Sequence, residues 1–179
     1  MKKSILSIKS LFVIGALSIF SCNSDDGIKC PEPLTGELSA TETAFTGTWN
    51  LVAMESDVAL DLTNDDEDNP STDLFNQYSD CDRDLEYHFM ADRTLVYRQG
   101  YLADECNNKL TFDGTWSLSG NNLTLVANCA SQQISIETNA EEDQYSYDVI
   151  LQFRDVNGAQ KTAEVTFTFE KATVDEQPV

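Results

Sequence analysis

The sequence predicts an all-β fold, an eight-stranded antiparallel up-and-down barrel, and two patterns carry that prediction. Apolar and polar residues alternate with a period of two in Tyr145-Ser-Tyr147-Asp-Val149-Ile-Leu151-Gln-Phe153 and in Ala163-Glu-Val165-Thr-Phe167-Thr-Phe169, as in antiparallel strands that bury one face. Turn chemistry separates the runs: Ala91-Asp92-Arg93, Gly120-Asn121-Asn122 and Val156-Asn157-Gly158-Ala159 are hairpin-type connections, the Asn-Gly pair being able to adopt positive φ. Six earlier runs fit the same template: Phe45 to Met54, Leu85 to Phe89, Thr94 to Arg98, Leu110 to Leu118, Leu123 to Ala127, and Gln133 to Ile136. Eight sequential strands joined by tight turns form a meander, and closing it removes the exposed edges.

The chain opens with Met1-Lys2-Lys3 and Lys9, followed by the apolar run Leu11 to Phe20, about half the length that spans a bilayer. This is the pattern of an export signal over residues 1–21. The next residues, Ile19-Phe20-Ser21-Cys22, resemble the lipobox of bacterial lipoproteins, although Phe20 is bulkier than the usual occupant. That resemblance implies that Cys22 is acylated and becomes the first residue of an outer-membrane lipoprotein, held by two or three acyl chains at about 0.8 kcal/mol per buried methylene. Asn23-Ser24-Asp25-Asp26-Gly27 looks like a short signal for transfer to the cell surface; read without that resemblance it is a solvated tether. Residues 22–43 are small, polar and proline-bearing, and are expected to form a linker that, as a coil of some 20 residues, spans roughly 25 Å, less if Cys30 is tied back to the body. The barrel is expected over 44–172 and a short tail over 173–179.

Charge narrows the partners. The chain of 179 residues carries a formal net charge of −20; without Lys2, Lys3 and Lys9 the 11 basic residues fall to 8 against 31 acidic ones. Nucleic acid is excluded as a natural partner, because phosphate binding needs basic clusters. With Cys22 assigned to lipid, Cys30, Cys81, Cys106 and Cys129 remain for disulfides in an oxidising compartment. Cys81 and Cys106 flank the hairpin from Leu85 to Gly100 and are expected to pair, leaving Cys30 with Cys129. A zinc site is the weaker reading, since no Cys-x-x-Cys spacing occurs and His88 is the only histidine.

Between Glu55 and Asp84 the sequence turns acidic, with only Arg83 in opposition, so an insert is expected between the first two strands. Ser71 to Tyr78 offers a cap and apolar positions for one or two helical turns, and the insert is expected to act as a lid. Asp61, Asp65 and Glu67 fall at alternate positions ahead of Asp73, as in calcium loops that wrap a cation in oxygens. Asp66 stands where such loops carry glycine, and Asp73 falls one residue late. Calcium is therefore the one cofactor considered, against a solvated loop.

Gly47-Thr48-Trp49 recurs as Gly114-Thr115-Trp116, but the turns around the copies are unlike, so an internal duplication is not supported. Gly47-Thr-Trp49, the Asp-rich insert, Cys81-x-x-Asp84, the strand pair around Phe89 and Asp92, Cys106 and Gly114-Thr-Trp116, in this order, resemble the lipocalin-like domain of bacterial lipoproteins over about Phe45 to Lys171. The resemblance implies a small barrel with an apolar interior and, as in lipocalins, a small apolar or amphipathic ligand, with Trp49 and Trp116 as core residues. Fold does not fix function. No catalytic constellation stands out: His88 alternates with Tyr87 and Phe89 on a strand, the abundance of carboxylates makes any pair uninformative, and phosphate-cradling glycine loops are absent. The expected protein is a non-enzymatic, monomeric, lipid-anchored binding module; the competing reading is an accessory lipoprotein that presents its acidic loops to a protein or glycan.

Overall fold

The computed structural model describes residues 29–173. The export signal, Cys22, the Ser24-Asp25-Asp26 stretch and residues 174–179 lie outside the described residues. The described chain runs α1 (Ala40–Phe45), β1 (Gly47–Leu60), β2 (Ser71–Asp73), a 3₁₀ turn (Phe75–Gln77), α2 (Asp80–Arg83), β3 (Leu85–Phe89), β4 (Thr94–Gln99), β5 (Leu110–Ser119), β6 (Asn122–Ala127), β7 (Ala130–Ser135), β8 (Glu137–Thr138), β9 (Gln144–Arg154) and β10 (Gln160–Lys171).

All these strands join one antiparallel sheet in the order β7-β6-β5-β4-β3-β1-β10-β9-β8, with β2 added beside β1. Since β7 and β8 are separated only by Ile136, the two ends of this sequence of strands meet and the sheet curls into a nearly closed barrel. The first and last long strands lie side by side, from Trp49↔Lys171 to Ser56↔Val165, with a bulge between Leu51 and Ala53.

The eight expected strands are present, but the count is ten. β2 exists because the insert folds back on β1, pairing Glu55 with Asp73 and Leu60 with Ser71. β8 arises where the strand expected over Gln133 to Ile136 changes partner: β7 pairs with β6, whereas Glu137 and Thr138 pair with Ser146 and Tyr145 of β9. The first strand begins at Gly47, not Phe45, because Ser39 and Glu42 close a reciprocal capping box that winds residues 40–45 into helix. That helix, with the stretch from Leu34 onward, occupies ground expected as linker.

Inward-facing residues fill the barrel in layers. At the α1 end, Phe45 stacks on Trp49 with ring centres 4.8 Å apart and touches Phe89, Trp116 and Tyr145. Trp49 and Trp116 are both fully buried, and their indole N–H groups donate to the carbonyls of Phe45 and Met90. The glycines of the two Gly-Thr-Trp stretches differ in purpose. A Cβ on Gly114 would lie 2.5 Å from the carbonyl oxygen of Val126, so this position admits β6 at close range, while Gly47 sits at φ 136°, a conformation open mainly to glycine.

Meander topology sorts the connections between two ends. α1 and the turns β3–β4, β5–β6 and β8–β9 lie at one end; the insert 61–84, the loop 100–109 and the turns β6–β7 and β9–β10 lie at the other. The disulfide Cys81–Cys106 clasps the insert to the loop, and Cys30–Cys129 ties the N-terminal segment to the β6–β7 turn.

Candidate functional site

The barrel wall is interrupted along one line. Continuing the β8–β9 register, Glu137↔Ser146 and Thr138↔Tyr145, would place Ser135 opposite Asp148 and Gln133 opposite Ile150. Those pairs do not form: β7 spends its ladder on β6, and β9 beyond Ser146 pairs only with β10. The result is a seam with a bare strand edge on either side, stitched shut by β8 at the α1 end. A slot of about 450 Å³ occupies it. Its floor is apolar, from Ile134, Tyr147 and Val149, and its rim is polar, from Gln132, Gln133, Ser135, Glu137, Ser146, Asp148 and Thr166. The rim bears acidic side chains and no basic one, so it favours neutral or cationic polar groups.

Behind the slot the interior is packed with rings. Tyr145 stacks on Phe169 at 5.0 Å, Tyr147 on Phe167 at 5.4 Å and Tyr97 on Phe112 at 4.6 Å, while Tyr87 meets Tyr97 edge-on at 5.2 Å. Burial drives the Tyr87, Tyr145 and Tyr147 phenols well above their ordinary range, with neighbouring tyrosines adding to it, and pushes Tyr97 up to about 12. The Tyr145 hydroxyl has no hydrogen-bond partner among the described residues. The expected ligand chamber is thus largely occupied by aromatic side chains, and the accessible volume lies at the seam.

The insert lies over the barrel end beside β1. Leu60 and Leu74 are fully buried there, Leu74 N–H donates to the Met54 carbonyl, and the Gln77 side chain binds the Leu60 carbonyl and the Leu62 N–H. Asp61 and Asp65 come together around Thr63, whose hydroxyl lies 3.0–3.1 Å from an oxygen of each carboxylate and from Asn69 Oδ1 and can donate to one of the three at a time. The other two expected calcium ligands do not complete the set. Glu67 donates its N–H to Asp65, and Asp73 turns away to bind Asn76. Among the described residues no group of three or more His, Cys, Asp or Glu side chains is placed to hold a metal. Hydrogen bonds within the loop, from the Glu67 N–H first and then from Asn69 and Thr63, lower the Asp65 pKa. A second depression, of about 370 Å³, opens between this loop and the Val156-Asn157 turn.

Two polar arrays stand elsewhere. On the outer wall, Thr48 Oγ1 lies 3.0 Å from His88 Nδ1, and His88 Nε2 lies 2.9 Å from Glu86 Oε1, too far out of line to count as a hydrogen bond. Burial works to raise the pKa of Glu86, but His88 and Arg98 outweigh it and hold the carboxyl below its usual range. Hydroxyl, imidazole and carboxylate are in sequence, but β1 and β3 both lie inside the sheet and spend their N–H groups on ladders, leaving no donors for an oxyanion. The array clamps β1 to β3.

The second array closes the α1 end and was not anticipated from sequence. Arg93 forks onto Glu42 at 2.7 and 3.0 Å and also donates to the carbonyls of Gly36, Glu37 and Trp116. Glu42 accepts further bonds from the N–H groups of Ser39 and Leu118, and the Arg93 guanidinium holds its carboxyl down at about 2. The only available signal was the Ser39-x-x-Glu42 spacing of a capping box.

The chain belongs to a family described as a domain of unknown function (DUF5004), whose match covers residues 23–172. No curated protein matches it.

Proposed function

We propose that this member of the DUF5004 family is a lipid-anchored binding module of the bacterial cell envelope, with a lipocalin-like barrel that holds a small amphipathic molecule at its lateral seam. Residues 1–21 direct export, Cys22 carries the acyl chains, and the protein resides in the outer membrane as a monomer. The observation that carries this reading is the slot between β7 and β9: an apolar floor of Ile134, Tyr147 and Val149 under a polar rim, at the point where the strand order of the sheet fails to close. A ligand with a short apolar body and a neutral or cationic polar end matches that lining. No catalytic role is assigned to it.

Native mass spectrometry of protein purified from its own host's envelope should show a bound molecule that leaves on gentle activation, and an acylated N-terminus at Cys22. Val149→Trp, which fills the slot floor, should abolish the bound species and leave the far-ultraviolet spectrum unchanged. Recovery of ligand-free protein, or equal occupancy in the filled variant, would end the seam reading; an unmodified Cys22 would end the anchor.

A further inference from the structure

The backbone groups along the seam point across it in a fixed phase, which bonds just outside the strands establish. Ile136 N–H donates to the Asn121 carbonyl at 2.8 Å, one step beyond the pair Asn122↔Ser135. Hydrogen-bonded and non-bonded pairs alternate along an antiparallel ladder, so Ile134 and Gln132 turn their backbone groups to β6, while Ser131, Gln133 and Ser135 turn theirs to the seam. On β9, Lys171 N–H donates to the Asp143 carbonyl at 2.8 Å and Asp155 N–H to the Ala159 carbonyl at 3.0 Å. Tyr147, Val149 and Leu151 therefore bond to β10, and Asp148, Ile150 and Gln152 face the seam. Among the described residues, none of these seam-facing residues makes a backbone–backbone hydrogen bond. An unpaired edge is a template for another strand, and here two such edges face each other across the slot of about 450 Å³.

Side-chain alternation defines what that strand would carry. Tyr147 and Val149 share the inward face of β9 with the buried Tyr145, Leu151 and Phe153, and Ile134 shares the inward face of β7 with the buried Ile136. A strand lying between them would meet apolar neighbours on its inner side. On the outer side stand Ser135, Glu137, Asp148 and Ile150, with Glu164 paired beside Ile150 on β10. Ile150 is 70% exposed, the most of any large hydrophobic residue described. Lysine or arginine suits this outer side, because its stem covers Ile150 while its charged head reaches the carboxylates.

The chain itself does not supply such a strand. A second copy brings a formal charge of −20 to an acidic rim, and the end segments outside the described residues carry Asp25, Asp26, Asp175 and Glu176. The matching guest is a segment of another molecule.

Resting on the seam as the binding site of the proposed function, we infer that its ligand is an extended peptide, alternating apolar with basic residues, that adds a strand between β7 and β9 and bonds to both edges. Successive residues of a strand direct their backbone groups to opposite sides, so one set of guest residues pairs with β7 and the other with β9. The main chain supplies affinity, and the two faces of the seam supply selectivity.

The probe is a mixture of acetylated, amidated hexapeptides in which Lys or Arg alternates with Val, Leu, Phe or Tyr. It is dialysed at millimolar concentration against protein purified from its host's envelope, and retained peptides are identified by mass spectrometry. The best binder is then resynthesised with N-methyl groups on its odd or on its even residues, which removes the amide hydrogens aimed at one edge and keeps every charge and side chain. Each series should bind at least tenfold more weakly. Loss in one series alone, or in neither, would overturn insertion between two edges, the second result being that of attraction by charge only. Exchanging the basic residues of the peptide for Glu should also cost at least tenfold, as should Asp148→Lys, an exposed position where the far-ultraviolet spectrum should not change. Equal binding to the Asp148→Lys variant would overturn the match of charge. If no peptide is retained but Val149→Trp still removes some other molecule from host protein, the peptide is overturned and the seam stands as a binding site. If peptide binding is unaffected by Val149→Trp, the guest lies elsewhere and the seam reading falls with it. A complex of two chains with no peptide retained would give the edges to a second copy.

Discussion

Arg93→Met isolates the lock at the α1 end. The substitution keeps an unbranched apolar stem but removes five hydrogen bonds: two to the Glu42 carboxylate and three to the carbonyls of Gly36, Glu37 and Trp116. Glu42 would then be a buried carboxylate with only the Ser39 and Leu118 N–H groups as donors, and stranding one member of a buried ion pair costs about 3–5 kcal/mol. Urea unfolding at pH 7, followed by tryptophan emission, should show a loss of that size, because Trp49 and Trp116 lie directly beneath the lock. The pH dependence gives a second reading. In the native protein the Glu42 pKa is lowered to about 2, so its stabilising contribution is complete above the unfolded value of about 4.5 and is lost as pH falls toward 2. In a fully buried group such a shift is worth about 3 kcal/mol; with solvent screening near the barrel end, about 1–2 kcal/mol. In the variant the same carboxyl gains stability by protonating. The gap between the two proteins should therefore narrow by at least that 1–2 kcal/mol between pH 5 and pH 3, and comparing them cancels the general acid response of so acidic a chain. A gap below 1 kcal/mol at pH 7, or one that does not change with pH, would refute this account of the lock.

Gly114→Ala should destabilise the barrel by about 1–3 kcal/mol in the same assay, since the new methyl would meet backbone at Val126 and the Cβ of Ala127, neither of which can swing aside; Gly36→Ala, with nothing within 4 Å of its Cβ, controls for the loss of glycine, its own cost coming only from φ 105°. Alkaline difference absorbance should show Tyr87, Tyr97, Tyr145 and Tyr147 un-ionised at pH 11, because burial raises their phenol pKa values. Their contribution to stability is present below the unfolded value of about 10 and is lost as pH climbs toward the raised folded values, so the protein should unfold as these tyrosines titrate; ionisation of all four at pH 10.5 with the barrel intact would contradict their burial.

The residues that repeat a pattern were readable and the residues that act once were not. Alternation from Tyr145 to Phe153 and from Ala163 to Phe169 fixes which side of a strand faces the core, and the structure places those strands in continuous register. The pairing of Cys81 with Cys106 followed from a hairpin that brings its flanks together. The seam left no such trace, because Gln132 to Ser135 is polar on both faces and does not announce a missing partner. The bulge between Leu51 and Ala53 shifts which residues of β1 turn inward, something a single strand's pattern does not record. Arg93 sits in a turn with φ 69°, where sequence reads only a connection, and its partners lie 51 to 57 residues earlier and, at Trp116, 23 residues later. The calcium-like spacing is ambiguous for a related reason: alternation of oxygen-bearing side chains from Asp61 to Asn69 suits hydrogen bonds within the loop as well as it suits a cation.

The adjacency of β1 and β10 also sets the order in which the barrel can form. Most neighbours in the sheet are neighbours in sequence, so β3 to β7 and the β9–β10 hairpin can pair as soon as each short turn closes. β1 differs: one of its edges waits for a partner more than a hundred residues downstream, beginning with Trp49 and Lys171. A chain that emerges from a translocation pore N-terminus first would carry that edge bare until almost its last strand was through, and contacts so distant in sequence are slow to form. Over that interval Cys30 and Cys81 emerge well before Cys129 and Cys106, the partners they must find. For a chain exported in that way, the vulnerable period for mispairing and aggregation would be the transit itself, ending when residues 165–171 arrive to cover β1.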